Sequence, residues 1–523
     1  MPIHGFLGSA FKKLEYCKGK VMVSPNNSTV YSMFRSTAKW NADNLAIECG
    51  ERSWTYGELL DLIDRLASIL RSEKVMAGDC IAILSENRAE YTMLQFACAR
   101  IGAIASCLNS RLVVEELQYC IHLVEPQLIF VSSRFQSLLD QVAYPAAKQI
   151  SMEGCLSLAA SAELDQHPPL LNSEQGLLLL NTSGTTGLPK AALISHRAEI
   201  ARMTTLRMDL KIDPGDAFLA WSPMNHIGGT DHTISSLMMG SAVIITDGLD
   251  IDTMCSVIGR YKIGWLLLMP ATIEPILRRL AETKTRVVGV KVVGCMADLI
   301  PAAQIAEVTT ALNALFVNSF GSTETGLPPA TGHLIPVGEV PTDLSKKISS
   351  LCEFRLVDED DNDVQQGEVG EALLRGPTLF SGYWNAPEVN AEAFRDGWFR
   401  MGDLLKQTKN GGFEFVGRLK YLIKTGGENV YPAEIERVLL SDSRVEEATI
   451  VRKKDSRWGE IVVAFITRNT EALTDVEIEK MCRAKLANYK RPREIYFIPI
   501  DEFPRNGSGK IIRESLEKRL ESA

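Results

Sequence analysis

The sequence predicts an α/β protein in which a large N-terminal domain of layered α/β structure is followed by a small α+β domain on a hinge. Three observations predict this: short apolar runs alternate with amphipathic helical patterns, the pattern changes near Gly411, and the chain is long enough for several domains. At about 150 residues per domain, 523 residues correspond to roughly three to four folding units. A hydrophobic content of 46% excludes collagen-like and wholly disordered chains.

Short apolar runs predict the buried strands of the large domain. They span residues 80–85, 127–132, 177–180, 217–221, 242–246, 265–269, 287–293 and 315–317. Between them, segments such as residues 59–70 carry apolar side chains on one face at helical spacing. This alternation of strands and helices favours mostly parallel sheets that are covered by helices.

The small domain begins where glycines and charged residues interrupt this alternation. Residues 411–417 are typical of the end of a hairpin, and Arg418, Leu419 and Lys420 follow. Beyond them, we predict helices over residues 432–440 and 476–486 and strands over 448–452, 461–466 and 495–498. We therefore predict two domains, residues 1–417 and residues 418–523.

Charge and cysteine usage exclude several classes of protein. With 56 Lys and Arg against 65 Asp and Glu, the net charge of −9 does not favour binding to nucleic acid. The 11 cysteines form no CxxC pair, which disfavours a zinc knuckle and suits reduced thiols in the cytoplasm. Lys12, Lys13 and Glu15 come too early for a signal-peptide core. Because no apolar run approaches the roughly 20 residues of a transmembrane segment, we expect a cytoplasmic protein.

The strongest motif is TSGTTGLPK, residues 182–190, directly after a predicted strand. Its glycines, Gly184 and Gly187, let the backbone approach an anion closely. Hydroxyl and ammonium groups that can donate to such an anion come from Thr182, Ser183, Thr185, Thr186 and Lys190. The loop is not a Walker A loop, because the Gly-Lys-Ser/Thr ending is missing. An ordinary surface turn is the alternative interpretation.

A second motif, FGSTETG at residues 320–326, follows another predicted strand. Here Thr323 and Thr325 flank Glu324, and oxygen ligands of this kind suit a Mg²⁺ ion that bridges phosphates. A Thr-Glu pair can also cap a helix, so the motif alone is weak.

A third motif, WFRMGD at residues 398–403, places Asp403 after Gly402. We expect a tight loop here, on which the carboxylate could accept two hydrogen bonds from a ribose diol. An Asx-turn is the alternative.

Taken together and in order, the motifs of this chain resemble those of the adenylate-forming superfamily, and most of all its acyl-CoA ligases. That group also holds luciferase-like enzymes and the adenylation domains of peptide synthetases. The motifs are TSGTTGLPK (182–190), SPMNHIGG (222–229), FGSTETG (320–326), GEVGEALLRGPTLFSGYW (367–384), WFRMGDL (398–404), GRLKYLIKTGGENVYPAEIE (417–436) and PRNGSGK (504–510). The resemblance covers nearly the whole chain and implies a large adenylate-forming domain with a small mobile α+β C-terminal lid.

The resemblance also implies a two-step reaction. A carboxylate first attacks the α-phosphate of ATP to give an acyl-adenylate and pyrophosphate, and the thiol of CoA then forms a thioester. ATP, Mg²⁺ and CoA are therefore the expected cofactor and co-substrates.

Four charged side chains match family residues with assigned roles. Lys510 matches the catalytic lysine that bridges the carboxylate and the α-phosphate, and Glu324 matches the glutamate linked to the metal. Asp403 and Arg418 match the ribose-binding pair. A solvated lysine near the C-terminus is the alternative for Lys510. Because all four are present, a catalytically silent binding protein on this scaffold is disfavoured.

The resemblance assigns further residues to the nucleotide. Ser183, Thr185, Thr186 and Lys190 would handle pyrophosphate, with Thr185 also counted as catalytic. Phe320, Gly294 and Cys295 would pack around adenine, with a plain core aromatic as the alternative for Phe320. The remaining residues assigned to nucleotide binding are Thr182, Gly184, Gly187, Asn318, Gly321, Ser322 and Thr323.

His226 occupies the family's aromatic-or-His position beside the acyl pocket and is counted with the catalytic residues. A metal cluster with Asp231 and His232 is disfavoured because a further ligand is missing, and a packed histidine stays open. Apolar neighbours such as Ile227 and Met224 favour a hydrophobic carboxylate, either fatty or aryl.

The hinge is expected at Lys420, where rotation would exchange the Lys510 loop for the loop at residues 425–428. Gly426 and Gly427 would then line the channel for CoA, and Lys424 matches a lysine used in that second conformation. Such a domain rotation can limit turnover.

The predicted function is an ATP-dependent carboxylate–CoA ligase. The alternative is a stand-alone adenylation enzyme that passes its acyl group to a carrier protein or an amine. Ile227 stands where amino-acid-activating members have an Asp, so an α-amino acid is disfavoured. The short stretch after Lys510 leaves no room for a carrier domain in cis, whereas a carrier protein in trans and a homodimer stay open. A luciferase-type oxygenase is a remote further alternative.

Overall fold

The computed structural model describes residues 28–144, 147–165, 169–182, 189–297, 300–505 and 509–521. It confirms the predicted α/β fold, a large N-terminal domain with mainly parallel sheets and a smaller C-terminal domain. The strand predicted over residues 80–85 is found as Cys80–Leu84, and every one of its residues is buried. Burial on both faces is typical of parallel strands covered by helices.

Sheet I holds seven strands within the described residues, all parallel to their neighbours except β2 at one edge. In spatial order these are β13 (Leu315–Asn318), β12 (Gly289–Cys295), β11 (Lys262–Leu267), β9 (Ala217–Ala220), β10 (Val243–Ile245), β1 (Leu45–Cys49) and β2 (Arg52–Thr55). Asn318 and Cys295 pair at the carboxyl ends of β13 and β12. The segments that follow these strands therefore begin at the same edge of the sheet.

Sheet II holds six strands in the described ranges, and only β8 at its edge runs antiparallel to its neighbour. The spatial order is β6 (Lys148–Ser151), β5 (Leu128–Val131), β3 (Cys80–Leu84), β4 (Ile104–Cys107), β7 (Gly176–Thr182) and β8 (Lys190–Ser195). Because Thr182 pairs with Lys190, the hydroxyl-rich motif connects two adjacent antiparallel strands.

Sheet III is antiparallel and completes the N-terminal domain. Its described strands are β16 (Glu353–Val357), β17 (Val369–Arg375), β18 (Phe394–Arg395), β19 (Trp398–Gln407) and β20 (Phe413–Arg418). The hairpin end predicted over residues 411–417 is confirmed, since β19 and β20 are paired neighbours. A separate short pair, β14 (Gly321–Ser322) and β15 (Gly326–Pro329), flanks Glu324.

The tight loop predicted around Asp403 is wrong, because Gly402 and Asp403 lie inside the long strand β19. The register between β17 and β19 shifts between Glu371 and Leu373, which is the sign of a bulge. Gly402 has a φ of +70°, a conformation that glycine adopts without a steric penalty. A bulge depends on pairing with another strand, so local sequence does not predict it. The Gly402-Asp403 pair has the composition of a turn, which is why the sequence predicts a loop here.

Sheet IV forms the C-terminal domain together with three helices of the described chain. Its strands are β21 (Ile423–Thr425), β22 (Glu428–Val430), β23 (Val445–Asp455), β24 (Gly459–Arg468) and β25 (Glu494–Phe497). The helix predicted over residues 432–440 is found at Pro432–Leu440, and the one over 476–486 at Asp475–Lys485. The boundary at residues 417 and 418 stays a prediction.

The helices of the described residues cover both faces of sheets I, II and IV. They are α1 (Val30–Trp40), α2 (Tyr56–Ser72), α3 (Ala89–Ile101), α4 (Val114–Val124), α5 (Gln136–Leu139), α6 (Cys155–Ser161), α7 (His196–Met208), α8 (Ile227–Met239), α9 (Ile251–Arg260), α10 (Ile273–Thr283), α11 (Ala302–Leu312), α12 (Pro387–Ala393), α13 (Pro432–Leu440), α14 (Asp475–Lys485) and α15 (Arg513–Glu521). In the described part of the chain, no helix has both the length and the apolarity needed to cross a bilayer.

Candidate active site

Lys510 of the C-terminal domain lies close enough to His226 of the N-terminal domain for its charge to act on the imidazole, and we call the space between these two residues the cleft. Both side chains keep solvent-accessible surface, although protein surrounds them on most sides. Lys510, which lies just before α15 in the C-terminal domain, interacts electrostatically with Arg418, Asp403 and Glu324. The structure therefore brings the predicted catalytic lysine together with three other predicted site residues.

The electrostatics of Lys510 reflect this crowded position. Burial and the neighbouring Arg418 lower the pKa of Lys510, whereas Asp403 and Glu324 act in the opposite direction. An ammonium group that has lost part of its water shell interacts more strongly with an anion than an exposed one does.

His226 caps the N-terminus of α8, where its Nδ1 accepts a hydrogen bond from the backbone N–H of Gly228 at 3.2 Å. Burial, with the positive charges of Lys510 and Arg111, lowers the pKa of His226 to about 4. The imidazole is therefore neutral near physiological pH and adds no positive charge beside Lys510.

Asp403 faces Arg418 across β19 and β20, with 2.6 Å between Oδ1 and Nε. The contact is an ion pair without hydrogen-bond alignment, so both carboxylate oxygens lack a hydrogen-bond partner within the described ranges. Burial raises the pKa of Asp403 to about 6, although Arg418 opposes this shift. A buried carboxylate whose two oxygens both keep acceptor capacity fits the diol of a ribose, because it can accept both hydroxyl hydrogens.

Glu324 lies in the turn between β14 and β15, and three hydrogen bonds hold this turn. Its carbonyl oxygen accepts from the N–H of Phe380 at 2.8 Å, and its Oε1 accepts from the hydroxyl of Tyr383 at 2.9 Å. The guanidinium of Arg202 donates to the carbonyl oxygen of the preceding Thr323 at 3.2 Å. Glu324 therefore enters the site on a turn that other segments of the chain fix.

Arg202 is a buried cation that sequence reasoning missed. It lies on α7 and pairs with Asp231 of α8, with 3.1 Å between Nη1 and Oδ1, and both side chains are almost fully buried. Glu199 lies beside this pair, where burial and the charge of Asp231 raise its pKa well above the usual range. Asp231 therefore belongs to an ion pair whose Arg202 also contacts the Glu324 turn.

The hydroxyl-rich loop is described only at its two ends. Ser183, Gly184, Thr185, Thr186 and Gly187 lie outside the described residues, whereas Thr182 and Lys190 form the pair that closes the loop. The Nζ atom of Lys190 lies 4.9 Å from the ring centroid of Tyr383. Tyr383 thus contacts residues of two predicted motifs, which sequence reasoning also missed.

Gly294 and Cys295, assigned to adenine, and Asn318, assigned to nucleotide binding, lie at the ends of β12 and β13. Asn318 accepts from the N–H of Ala297 and donates to the carbonyl of Leu344, each at 2.8 Å, so its side chain fixes two loops. A Cβ atom on Gly294 would lie 2.3 Å from the carbonyl oxygen of Val317, so only glycine fits there. Cys295 is buried beside them.

Phe320 and the residues after it continue from β13 into the Glu324 turn. Phe320 is buried, with its ring centroid 5.7 Å from that of Phe415. The backbone N–H of Ser322 donates to the hydroxyl of Thr325 at 3.0 Å. Gly321 pairs with Pro329, so the turn that holds Thr323 and Glu324 is a closed hairpin.

The residues predicted for the second conformation lie on the hairpin of β21 and β22. Lys424 contacts Glu359, between β16 and β17, rather than the groups around Lys510. Gly426 and Gly427 both have positive φ angles, of +58° and +86°. Lys420 pairs with Glu514 of α15, with 2.9 Å between Nζ and Oε1.

The described residues hold no group of three or more His, Cys, Asp or Glu side chains that could bind a metal by themselves. Glu324 nevertheless offers a single carboxylate beside a predicted phosphate site. This fits Mg²⁺, which is commonly bound by one or two carboxylates together with substrate phosphates.

The fold and the site define an enzyme that activates its substrate with a nucleotide, and comparisons with known proteins agree. Residues 34–384 match the family described as AMP-binding enzyme, and residues 434–510 match its C-terminal domain. The indoleacetate–CoA ligase of Aromatoleum aromaticum is 33% identical over 494 residues, which cover 90% of this chain and 94% of that protein. A feruloyl-CoA synthase of an Amycolatopsis species is 29% identical over 496 residues, which cover 92% and 97%.

A solved structure supports the same relationship. The o-succinylbenzoate CoA synthetase of Bacillus subtilis, in complex with its acyl-adenylate intermediate, matches with a TM-score of 0.82 at 25% identity, covering 94% of this chain and 98% of that chain. The chain therefore belongs to the AMP-binding enzyme family. Its relatives are CoA ligases, which confirms the prediction of an AMP-forming acid–thiol ligase that uses ATP and CoA.

Proposed function

We propose that this chain joins an aryl-substituted carboxylic acid to CoA through an acyl-adenylate formed in the cleft that Lys510 and His226 line. The observation that carries this proposal is the electrostatic contact of Lys510 with Glu324, Asp403 and Arg418 across the two domains. This arrangement offers cationic groups where a carboxylate and a triphosphate must approach each other.

The first step has to bring two anions together. Two unit charges about 4 Å apart repel by roughly 4 kcal/mol at an effective dielectric constant near 20. Lys510 would donate to the carboxylate and the α-phosphate as negative charge accumulates between them, which stabilises the transition state. Asp403 would accept the ribose hydroxyls, and Arg418 would hold that carboxylate from its exposed side.

The triphosphate would be held from the opposite side of the cleft. Glu324 would bind the Mg²⁺ ion, which when bound neutralises phosphate charge. Lys190 and the hydroxyls of Thr182, Ser183, Thr185 and Thr186 would donate to the leaving pyrophosphate. Neutral His226 would pack beside the acyl group without repelling the ammonium of Lys510.

An aryl acid is favoured by the surroundings of His226 and by the relatives. Leu267 lies within 3.1 Å of the position that a Cβ atom on Gly228 would take, and Trp265 is buried two residues before it. Three kinds of relative are named for indoleacetate, ferulate and succinylbenzoate, all of which carry a ring, whereas another relative is named for long-chain fatty acids. A fatty acid is the other hydrophobic class that such a pocket could take.

The second step would follow a rotation of the domain that begins at residue 418. Rotation about Lys420 would withdraw Lys510 and bring Lys424, Gly426 and Gly427 to the cleft, where CoA attacks the adenylate. CoA is favoured as acceptor because the relatives are CoA ligases. A carrier protein and a homodimer are not part of this proposal.

We further propose that the enzyme works in the cytoplasm. ATP and CoA are both available there, and all ten cysteines in the described ranges are free thiols. Unpaired thiols are usual where the compartment is reducing.

The proposal is tested by pyrophosphate release across a panel of arylacetic, cinnamic, medium-chain and long-chain fatty acids, each with and without CoA. We expect the highest kcat/KM with an aryl acid, and a thioester that mass spectrometry detects only when CoA is present. A preference for long-chain acids would overturn the aryl assignment. An adenylate that never reacts with CoA would favour the stand-alone adenylation enzyme instead.

A further inference from the structure

Residues 380–384, with the sequence FSGYW, connect the two loops that are proposed to handle the triphosphate. The N–H of Ser381 donates to Leu193 and the N–H of Trp384 donates to Ala191, at 2.7 and 2.8 Å, so the segment lies along β8. At its other end, the N–H of Phe380 donates to the carbonyl oxygen of Glu324 at 2.8 Å. One short segment therefore touches the strand that begins at Lys190 and the turn that carries Glu324.

Tyr383 lies at the centre of this segment and its backbone is fixed on both sides. Asn390 accepts from the N–H of Tyr383 at 2.7 Å and donates to its carbonyl oxygen at 2.8 Å. Tyr383 also pairs with Ala192 of β8. Such a backbone leaves the side chain little freedom, which is what precise positioning of a neighbour requires.

The side chain of Tyr383 makes two different contacts in the site. Its hydroxyl donates to Oε1 of Glu324 at 2.9 Å, and its ring face lies 4.9 Å from the ammonium of Lys190. The ring also packs edge-on against Phe380, with 4.9 Å between centroids. The ring thus packs against Phe380 and lies near the ammonium of Lys190, whereas the contact with the Glu324 carboxylate depends on the hydroxyl alone.

We propose that Tyr383 is a positioning residue that aligns the carboxylate of Glu324 with the ammonium of Lys190, so that one side chain sets both contacts to the triphosphate. The proposal rests on the proposed function of Glu324 and Lys190 in ATP binding. The proposed role belongs to the hydroxyl of Tyr383. The packing of the ring against Phe380 does not need this hydroxyl.

The chemistry of the hydroxyl suits this role over the whole working pH range. A phenol hydroxyl carries its proton at neutral pH, so the group is a hydrogen-bond donor to the Glu324 carboxylate. The donated bond restricts the rotation of the Glu324 carboxylate and leaves its other oxygen for a metal ion. Without it, the carboxylate could turn toward Lys510 or Arg418, both of which carry a positive charge.

The test compares Tyr383→Phe with wild-type enzyme in three measurements. These are Mg²⁺-dependent ATP binding by calorimetry without acid, the adenylation half-reaction by pyrophosphate exchange, and thioester formation from supplied acyl-adenylate. We expect ATP binding and adenylation to fall by about ten- to a hundredfold, since a hydrogen bond to a charged group is lost. Thioester formation and the melting temperature should stay within experimental error of wild type.

Tyr261→Phe is the matched control, because the hydroxyl of Tyr261 donates to Glu48 at 2.5 Å, and the side chain that shares this carboxylate is Arg260 rather than a predicted site residue. It removes the same type of hydrogen bond and should leave all three measurements unchanged. If Tyr383→Phe lowers the melting temperature and both half-reactions together, its role is structural and the proposal is wrong. The proposal is equally wrong if Tyr383→Phe behaves like wild type.

A double-mutant cycle with Glu324→Gln shows whether the tyrosine acts through the carboxylate. In the Glu324→Gln background, adding Tyr383→Phe should reduce adenylation by less than about twofold, because the contact is already weakened. Independent, multiplicative losses would overturn the proposal. Failure of the proposed function would look different, since the wild-type enzyme itself would release no pyrophosphate with any acid.

Discussion

Lys424 of the C-terminal domain contacts Glu359 of the N-terminal domain, with 3.2 Å between Nζ and Oε1, while Lys510 occupies the cleft. Both partners of this ion pair are exposed, at 63% and 83% of their side-chain surface. Exposed pairs contribute only about 0–1 kcal/mol. The contact is therefore weak enough to be exchanged when the domain rotates.

Lys510→Ala should remove adenylation and spare the second half-reaction. The ammonium that offsets the repulsion between carboxylate and α-phosphate is lost, so acid-dependent pyrophosphate release should fall at least about a hundredfold. Thioester formation from supplied acyl-adenylate should keep its wild-type rate. Equal loss in both half-reactions would contradict the exchange of lysines between two domain orientations.

Lys424→Ala should show the opposite pattern. Adenylation should stay near the wild-type rate, since Lys424 contacts Glu359 rather than the groups around Lys510 in this structure. Thioester formation should slow by about tenfold or more, the scale of one charge-assisted hydrogen bond. Lys480→Ala, which changes an exposed lysine of α14, is the control and should leave both rates unchanged.

ATP binding should weaken as the pH falls through about 6, the value to which burial raises the pKa of Asp403. Below this pH, protonation removes the charge and one acceptor of the carboxylate that is proposed to bind the ribose. KM for ATP should therefore rise with acidification, and Asp403→Asn should abolish this dependence while raising KM at every pH. A titration of KM from about pH 5 to pH 8 measures it, and a flat wild-type profile would contradict the ribose assignment.

The raised pKa of Asp403 also makes the protein more stable at low pH, where ATP binding is expected to be weaker. The folded protein holds the proton of Asp403 more tightly than the unfolded chain, whose carboxyl titrates near about 4. The free energy of unfolding therefore falls as pH rises from about 4 to about 6 and is constant above that range. At neutral pH, Asp403→Asn should raise the free energy of unfolding by about 1–3 kcal/mol, measured by urea denaturation, although the variant should bind ATP less well.

The buried pair of Arg202 and Asp231 should matter more for stability than Glu199 does. Asp231→Asn leaves a buried guanidinium without its counterion and should cost about 3 kcal/mol in urea denaturation. Glu199, whose pKa burial and Asp231 raise, already carries its proton, so Glu199→Gln should be nearly neutral. A large loss for Glu199→Gln would show that this side chain is ionised.

The parallel sheets could be predicted because their strands are apolar on both faces. The five buried residues of Cys80–Leu84 carry this signal in their own side chains, and so do those of Leu128–Val131. Sheet III carries a weaker signal, since several residues of its strands β16, β19 and β20 are only partly buried. Asp403 lies in the irregular part of β19 between Arg400, which pairs with Leu373, and Leu404, which pairs with Glu371. Local sequence predicts a loop there because the pairing that makes it a strand involves other segments of the chain.

The charged members of the site could be predicted from motifs, whereas their supports could not. Lys510, Glu324, Asp403 and Arg418 each lie in a recognisable local pattern. Tyr383 supports Glu324 only because residues 381–384 pair with β8, about 190 positions earlier in the chain. Arg202 likewise reaches Thr323 through the packing of α7 and the Glu324 turn. Such contacts depend on the tertiary fold, so the residues near Tyr383 and Arg202 in the sequence do not predict them.

The segment at residues 381–384 also has a consequence for the solubility of variants. It lies along β8, the outermost strand of sheet II, and its backbone pairs with Ala191 and Leu193. A strand edge that loses such a cover offers free N–H and C=O groups to another chain, which promotes aggregation. Insertions or proline substitutions in this stretch should therefore yield insoluble protein, so mutant libraries around the phosphate site need a measurement of soluble yield beside that of turnover.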